Sequence, residues 1–306
     1  MKQKNSIDAG GDSIGRDFKS LVLSDMATQE FLAVTYGLAS ASFWGTSDFS
    51  GGFVTKTSSV FGVLLIANIT GVVALVICAL WLESPIPDAS SIVFGAFAGI
   101  AGLTGLAALY KGLSVDHMGM VASLTAVISA ALPVIFGAMI EGIPSNIQIV
   151  GFAIAFVAIW QLSVSEKSHK IHWRQLSLPI TAGIGFGFAF ILFDQAVHQN
   201  VFGPLIVSRI TAILALILIL MIFRIGTMPQ RRRYPIVCLT GLFDVAGTTF
   251  YASAAHVGRL DISVVLASMH PAITAFLAWV VLKERLSRRQ WVGVIAALIA
   301  LALIAT

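Results

Sequence analysis

The chain has 306 residues, of which 57% are hydrophobic and 11% charged, and its mean hydropathy is +0.91. Soluble globular domains carry about 25% charged residues, so this composition excludes an ordinary soluble domain. The net charge of +4 does not indicate nucleic-acid binding, because the basic residues lie in short segments between long apolar runs. A span needs about 20–25 apolar residues, so the chain has room for about ten spans.

Residues 1–29 are polar and mixed in charge, and they lack the apolar core of a signal peptide, so a disordered tail is expected. Hydropathy then predicts membrane spans at 31–54, 58–82, 90–112, 117–140, 146–164, 178–198, 201–223, 234–256, 260–282 and 288–305. Runs of this length without period-2 alternation predict helices, which lipid accommodates because their backbone groups are all paired. The expected fold is an all-α integral membrane protein with ten transmembrane helices.

The second half of the chain repeats the first. Val60–Gly62 recurs as Val201–Gly203, and the position of Asn68 is taken by Arg209 at the same offset along the chain. Five helices per half is an odd number, so the second half enters the membrane from the opposite side, which predicts inverted repeats. The expected organisation is a tail at 1–29, a first five-helix repeat at 30–164, a linker at 165–177 and a second five-helix repeat at 178–306.

Three ionisable residues fall within about three residues of the centres of their predicted spans: Arg209, Asp244 and His270. An ionisable group at that depth costs roughly 2.5–3.5 kcal/mol on insertion scales and usually faces a partner or a cavity. One interpretation is a structural ion pair between Arg209 and Asp244. In the other, Arg209 holds an anionic group of a substrate while Asp244 or His270 exchanges a proton. His270 directly precedes Pro271, so donation to freed backbone carbonyls is an alternative role for it.

An amide and three aromatic residues are further candidates for substrate binding: Asn68, Trp44, Tyr110 and Tyr251. Ordinary packing is the alternative for the aromatic residues. Asp48 follows Gly37 at the same spacing as Asp194 follows Gly183, so the two aspartates are predicted to be equivalent, at an offset slightly longer than that of Val60 and Val201. Each is expected to lie roughly 9 Å from the membrane midplane. Inverted halves would place these two carboxylates toward opposite faces, as gate or proton-relay groups. Helix-capping or snorkelling carboxylates are the alternative.

Two motifs carry a family resemblance. They are Phe43-Trp44-Gly45 followed by Phe49, and Pro271 followed by Leu282-Lys283-Glu284-Arg285-Leu286-Ser287, Gln290 and Gly293. With these motifs residues 31–306 resemble the ten-helix, EamA-domain type of the drug/metabolite transporter superfamily. The first half departs from the pattern, because Pro133 lies close to Glu141 and no arginine follows. The resemblance implies transport of small metabolites without covalent chemistry, and it does not define the substrate.

The expected function is a secondary active transporter of an amino acid, organic acid or drug-like compound, working by alternating access with proton coupling or exchange. The expected place is the cell membrane (plasma or inner), crossed many times. Expected partners are the small-molecule substrate, the lipid bilayer and protons, with no nucleic acid; no cofactor, metal or catalytic residue is expected. Because Arg209 is the one basic residue expected in the cavity, the sequence favours a singly anionic or zwitterionic substrate.

Four other classes of membrane protein fit the sequence less well. A sugar or nucleotide-sugar exchanger of the same superfamily would be expected to expose several basic residues in its cavity. A non-transporting scaffold or sensor has no reason to keep charges at mid-membrane. An intramembrane enzyme would need an HExxH, GxSG or paired-aspartate motif, and ATP-driven transport a P-loop; the sequence contains none of these. Lysine and arginine concentrate in loops after odd-numbered spans, which favours termini outside, although the tail's own basic residues argue for the opposite.

Overall fold

The computed structural model describes residues 31–32, 34–116, 118–141, 145–163, 173–197, 201–224, 228–257, 267, 269–283 and 287–304. The polar tail and most of the predicted linker lie outside these residues. No strand occurs among the described residues, and the first helix, α1, covers residues 34–55. The other helices are α2 Val60–Trp81, α3 Ala89–Val115, α4 Met118–Glu141, α5 Asn146–Ser163, α6 Trp173–Ala196, α7 Phe202–Phe223, α8 Tyr234–Val257, α9 His270–Leu282 and α10 Arg288–Ile304.

In the part of the chain that the structure describes, four segments are long and apolar enough to cross a membrane: Val60–Trp81, Ala89–Val115, Leu176–Phe193 and Phe202–Phe223. The chain is therefore an α-helical membrane protein. Two predicted boundaries differ from those observed. Helix α6 begins at Trp173, inside the segment expected to be a linker. Helix α9 begins at His270, although a span was predicted from residue 260, and residues 258–266 lie outside the described part.

Close contacts between helices recur at the offset that the sequence repeat predicts. A Cβ atom added to Gly99 would lie 2.4 Å from the Ser208 carbonyl oxygen, and one added to Gly241 would lie 2.2 Å from the Ala67 carbonyl oxygen. Gly99 and Gly241 are separated along the chain by the offset of the repeat to within one position, as are Ala67 and Ser208. Helix α3 therefore packs against α7 as α8 packs against α2, with backbones that approach closely because glycine has no side chain.

The same relation holds for the helices that pack α1 and α6 into the bundle. A Cβ atom on Gly45 would lie 2.6 Å from the His270 carbonyl oxygen, and one on Gly187 would lie 3.2 Å from the Ser129 carbonyl oxygen. Gly45 and Gly187 are again related by the offset of the repeat to within one position, and so are Ser129 and His270. Helix α1 therefore packs against the start of α9 as α6 packs against α4.

These contacts change the alignment of α1 with α6. Both helices are continuous through the described residues, so the equivalence of Gly45 with Gly187 makes Asp48 equivalent to Phe190. The sequence match at the longer offset, which paired Asp48 with Asp194, is not the structural equivalence. The helix ends agree with the shorter offset, which also relates Glu83 to Arg224. These two residues both take left-handed φ angles, 49° and 48°, just past α2 and α7.

One end of the bundle is filled by side chains of α1, α3 and α4. Val54, Leu113 and Met118 are each 0% exposed. The Thr55 hydroxyl donates to the Tyr110 carbonyl oxygen at 3.1 Å. The loop between α1 and α2 lies at this same end, where the Arg233 guanidinium at the start of α8 donates to the Thr57 hydroxyl.

Candidate functional site

His270 and Asp48 form a hydrogen-bonded pair between α9 and α1. The distance from His270 Nδ1 to Asp48 Oδ2 is 3.0 Å, and the two side chains are 21% and 10% exposed. His270 was expected near the centre of a helix, but it begins α9, with Pro271 in the first turn. Proline is tolerated there because the first-turn N–H groups have no partner within the helix, so Pro271 starts α9 instead of interrupting it.

Asp48 was expected nearer one membrane face, apart from the three central charges. The structure brings it into contact with one of them, His270. Among the described residues, His270 alone hydrogen-bonds to Asp48, through Oδ2, and Oδ1 accepts no hydrogen bond from them. The side chain of Asp194, its predicted counterpart, lies outside the described part, although the residue belongs to α6.

Arg209 and Asp244 form the second charged pair, between α7 and α8. Arg209 Nη2 donates to Asp244 Oδ2, and Arg209 Nη1 donates to Asn68 Oδ1 at 3.3 Å. The Asn68 amide is held in turn, because its Nδ2 donates to the Leu64 carbonyl oxygen at 2.8 Å. The side chains of Arg209 and Asp244 are 14% and 18% exposed. Asn68 and Arg209 occupy equivalent positions of the sequence repeat, so this hydrogen bond joins the two halves.

Trp44 lies between the two halves, with aromatic contacts on α8 and α9. Its ring centroid is 5.6 Å from that of Tyr251 and 6.0 Å from that of His270, the latter in an edge-on arrangement at 77°. A Cβ atom on Gly247 would lie 2.5 Å from Trp44 Cδ1, so glycine is needed there for the indole to approach α8. The indole Nε1 donates to the Thr248 hydroxyl at 3.3 Å.

Thr248 joins Trp44 of α1 to the backbone of α8 at Asp244, and it was not among the residues predicted from the sequence. Its Oγ1 accepts from Trp44 and donates to the Asp244 carbonyl oxygen at 2.9 Å. The signal for it was helical spacing, because Thr248 lies four positions after Asp244 and three before Tyr251, on one face of α8.

Tyr110 is placed differently from the other predicted site residues. It is 2% exposed, and its ring packs on Gly51, where an added Cβ atom would lie 2.2 Å from Cζ. It therefore lies toward the filled end of the bundle, whereas Trp44, Tyr251 and His270 are partly exposed. Of the predicted site residues, seven form two connected groups: Asp48, His270, Trp44 and Tyr251, and Arg209, Asp244 and Asn68.

Residues 174–306 match the model of the EamA-like transporter family. This match covers the second of the two halves that the sequence repeat defines. It includes Arg209, Asp244 and His270, and it confirms the resemblance suggested by the motif that begins at Pro271. The EamA-like match does not extend to the first half, where the motif departs from the family pattern. No curated protein matches the chain.

A solved structure titled "Crystal structure of protein" has the same fold over both halves. It superposes with a TM-score of 0.60 at 15% sequence identity, covering 89% of this chain and 95% of its own. At that identity the similarity shows the fold alone. The two halves of the chain therefore share one fold with a chain of similar length.

Proposed function

We propose that the chain is a secondary active transporter that carries a small metabolite across the cell membrane by alternating access. The observation that carries this proposal is the network of charged residues where the two halves of the chain meet. Arg209 of α7 bonds to Asn68 of α2 and Asp244 of α8, and His270 of α9 bonds to Asp48 of α1. Charges inside a membrane are costly, so a scaffold would have no reason to keep them.

The architecture proposed for this carrier is ten transmembrane helices arranged as two inverted repeats. Recurrence of the α3–α7 contact as the α8–α2 contact supports it, as does recurrence of the α6–α4 contact as the α1–α9 contact. In inverted-repeat carriers the substrate site lies where the repeats meet, and one repeat rocks against the other around it. The Asn68–Arg209 hydrogen bond is at such a meeting point.

The coupling ion proposed is the proton, with Asp48 and His270 as its carrier. A histidine changes charge near neutral pH, and a neighbouring carboxylate stabilises the charged form. The Arg209–Asp244 pair cannot serve this role in the same way, since a guanidinium stays protonated. The side chains of Asp48 and His270 keep 10% and 21% exposure, which leaves a route for proton exchange.

The test is electrometry on proteoliposomes containing the purified protein. A panel of amino acids, organic acids, sugars and organic cations would be applied with and without an imposed pH gradient, followed by counterflow with labelled compounds. We expect a substrate-dependent signal that Arg209→Ala and Asp244→Ala each abolish. Asp88→Asn, at the exposed start of α3, is the matched control and should transport normally. Absence of current and of counterflow with every compound would contradict the proposal and favour a scaffold.

A further inference from the structure

The charges of the site leave one carboxylate without a fixed cation. Arg209 donates to Asp244 and Asn68, and its charge is balanced by Asp244, so an anionic substrate at Arg209 would compete with the Asp244 carboxylate. Among the described residues, Asp48 pairs with no such permanent cation. It is hydrogen-bonded to His270, which is positive only when protonated.

Among the described residues around Asp48, none supplies an unpaired permanent positive charge. Helix α9 contributes His270, α8 contributes Asp244, which is itself acidic, and α3 contributes the hydroxyl of Tyr110. In the adjoining pair, α7 contributes Arg209, already bonded to Asp244, and α2 contributes the neutral amide of Asn68. With Asp48 ionised and His270 neutral, the described groups sum to one negative charge, held on a side chain that is 10% exposed. A buried carboxylate is costly unless a cation accompanies it.

Aromatic rings lie close to the Asp48–His270 pair. Trp44, one helical turn before Asp48, is in edge-on contact with His270 at a centroid distance of 6.0 Å, and the Tyr251 ring centroid is 5.6 Å from that of Trp44. Tryptophan and tyrosine faces attract organic cations, and quaternary ammonium groups are recognised by such rings. A protonated His270 and a bound cation would lie close together and repel each other, so the site would hold one or the other.

We propose that the site binds an organic cation, a protonated or quaternary amine, between the Asp48 carboxylate and the rings of Trp44 and Tyr251, in exchange for the proton on His270. This proposal rests on the carrier function proposed above and names its substrate class. In the exchange, protonated His270 releases its Nδ1 or Nε2 proton to water. The cation then balances Asp48, and one proton leaves for each cation that enters.

The test is binding by the purified protein in detergent with three matched probes: benzyltrimethylammonium, phenylacetate and 2-phenylethanol. The first has a permanent charge and no proton to carry, so any proton released on its binding comes from the protein. We expect benzyltrimethylammonium alone to bind and to release one proton in weakly buffered solution. Its affinity should fall roughly tenfold for each unit by which the pH is lowered in the range where His270 is protonated. Titration calorimetry and a pH indicator measure affinity and proton release.

Two variants separate binding from exchange. Asp48→Asn should weaken cation binding by at least about thirtyfold, because it removes the charge that the cation pairs with. His270→Gln should keep cation binding but lose proton release and the dependence of affinity on pH. Asp88→Asn is the control and should behave as the wild type in both measurements.

The proposal is overturned if Asp48→Asn binds the cation as tightly as the wild type. It is also overturned if phenylacetate binds and no cation does, tetramethylammonium and methylammonium included. Counterflow in proteoliposomes distinguishes failure of the cation-binding proposal from failure of the proposed transport function. Exchange of phenylacetate, or of any amino acid or sugar of the panel above, without exchange of any cation would leave a carrier of another class. A folded protein that moves none of the panel compounds would contradict both proposals.

Discussion

At the scale of single residues, the site contains two charge pairs with different chemistry. Arg209 carries a guanidinium, a group that keeps its proton near neutral pH, and it is bonded to the Asp244 carboxylate. Asp48 and His270 change their joint charge when the imidazole gains or loses a proton. The Arg209–Asp244 pair therefore has a fixed role where the two halves meet, whereas the charge of the Asp48–His270 pair can change.

Arg209 and Asp244 depend on each other for stability. Arg209→Met should destabilise the protein. Removing one partner of a fully buried pair costs about 3–5 kcal/mol, and the cost here should be smaller because the two side chains keep 14% and 18% exposure. The double variant Arg209→Met with Asp244→Leu should cost less than the sum of the single changes. Thermal unfolding in detergent measures all three.

Transport assays on alanine variants of Arg209 and Asp244 test the role of this pair in substrate binding. We expect Arg209→Ala and Asp244→Ala each to abolish transport while their double variant stays folded. Recovery of transport in the double variant would mean that the pair is structural and that the substrate binds elsewhere.

Asp88 provides a pH-dependent contribution outside the membrane-spanning part of α3. Its carboxylate accepts from Ser91 N at 3.1 Å and from the Ser90 hydroxyl at 2.7 Å. Hydrogen bonds from Ser91 and Ser90 hold the pKa of Asp88 below its ordinary value. A lowered pKa means that the stabilisation is present above the unfolded pKa of about 3.9 and is lost as the pH falls through the folded value.

Asp88→Ala should therefore lower the unfolding temperature at neutral pH and have a smaller effect in acid. Asp88→Asn is the matched control, since asparagine is an equally good N-cap that does not titrate. An effect of Asp88→Ala that stays constant down to pH 3 would show that the charge of the cap contributes nothing.

The sequence alone could locate some of these residues and not others. Arg209 and Asp244 can be found from the sequence, because the free-energy cost of a charge in the membrane depends on its position along a predicted helix. The contact between Asp48 and His270 was not predictable in this way. It depends on where α9 begins and on the close approach of α1 that Gly45 allows.

At the scale of helices, the bundle depends on glycines that let backbones touch. Gly99 and Gly241 lie at the crossings of α3 with α7 and of α8 with α2, where no Cβ atom fits. Hydropathy predicts where these helices lie along the chain, since each apolar run is long. It does not predict which helices touch, because small residues permit a close approach without naming the partner.

Gly99→Ala and Gly241→Ala should each destabilise the bundle. An added methyl group would lie 2.4 Å and 2.2 Å from a carbonyl oxygen, and overpacking of this kind typically costs about 1–3 kcal/mol. Gly102→Ala is the control on the same helix as Gly99, because its Cβ atom would lie 3.8 Å from its nearest neighbour, Ala189 Cβ. That change should be neutral or stabilising, since alanine favours helix by up to about 1 kcal/mol.

Thermal unfolding of the three glycine variants in detergent checks this prediction. Equal loss of stability in Gly99→Ala and Gly102→Ala would mean that the close approach at the crossing does not determine the effect. A clear loss in Gly99→Ala without one in Gly241→Ala would mean that the two crossings are not equivalent.

At the scale of the whole molecule, fully buried and partly exposed residues lie at different places along the bundle. Val54, Leu113 and Met118 are 0% exposed near the loop that follows α1, whereas the candidate site residues Tyr251 and His270 keep partial exposure. In the alternating access proposed above, one half rocks against the other, which opens one end of the bundle and closes the other. The filled end should therefore open during each transport cycle.

Cysteine accessibility tests this motion. With Cys78 and Cys238 replaced by alanine, the Leu113→Cys variant should react slowly with a water-soluble maleimide at rest. It should react faster when benzyltrimethylammonium or another transported compound is present, because Leu113 is 0% exposed in the arrangement seen here. The Lys111→Cys variant, whose side chain is exposed, should react quickly in both conditions. Transport with an unchanged labelling rate in Leu113→Cys would mean that this end stays closed and that substrate passes by another route.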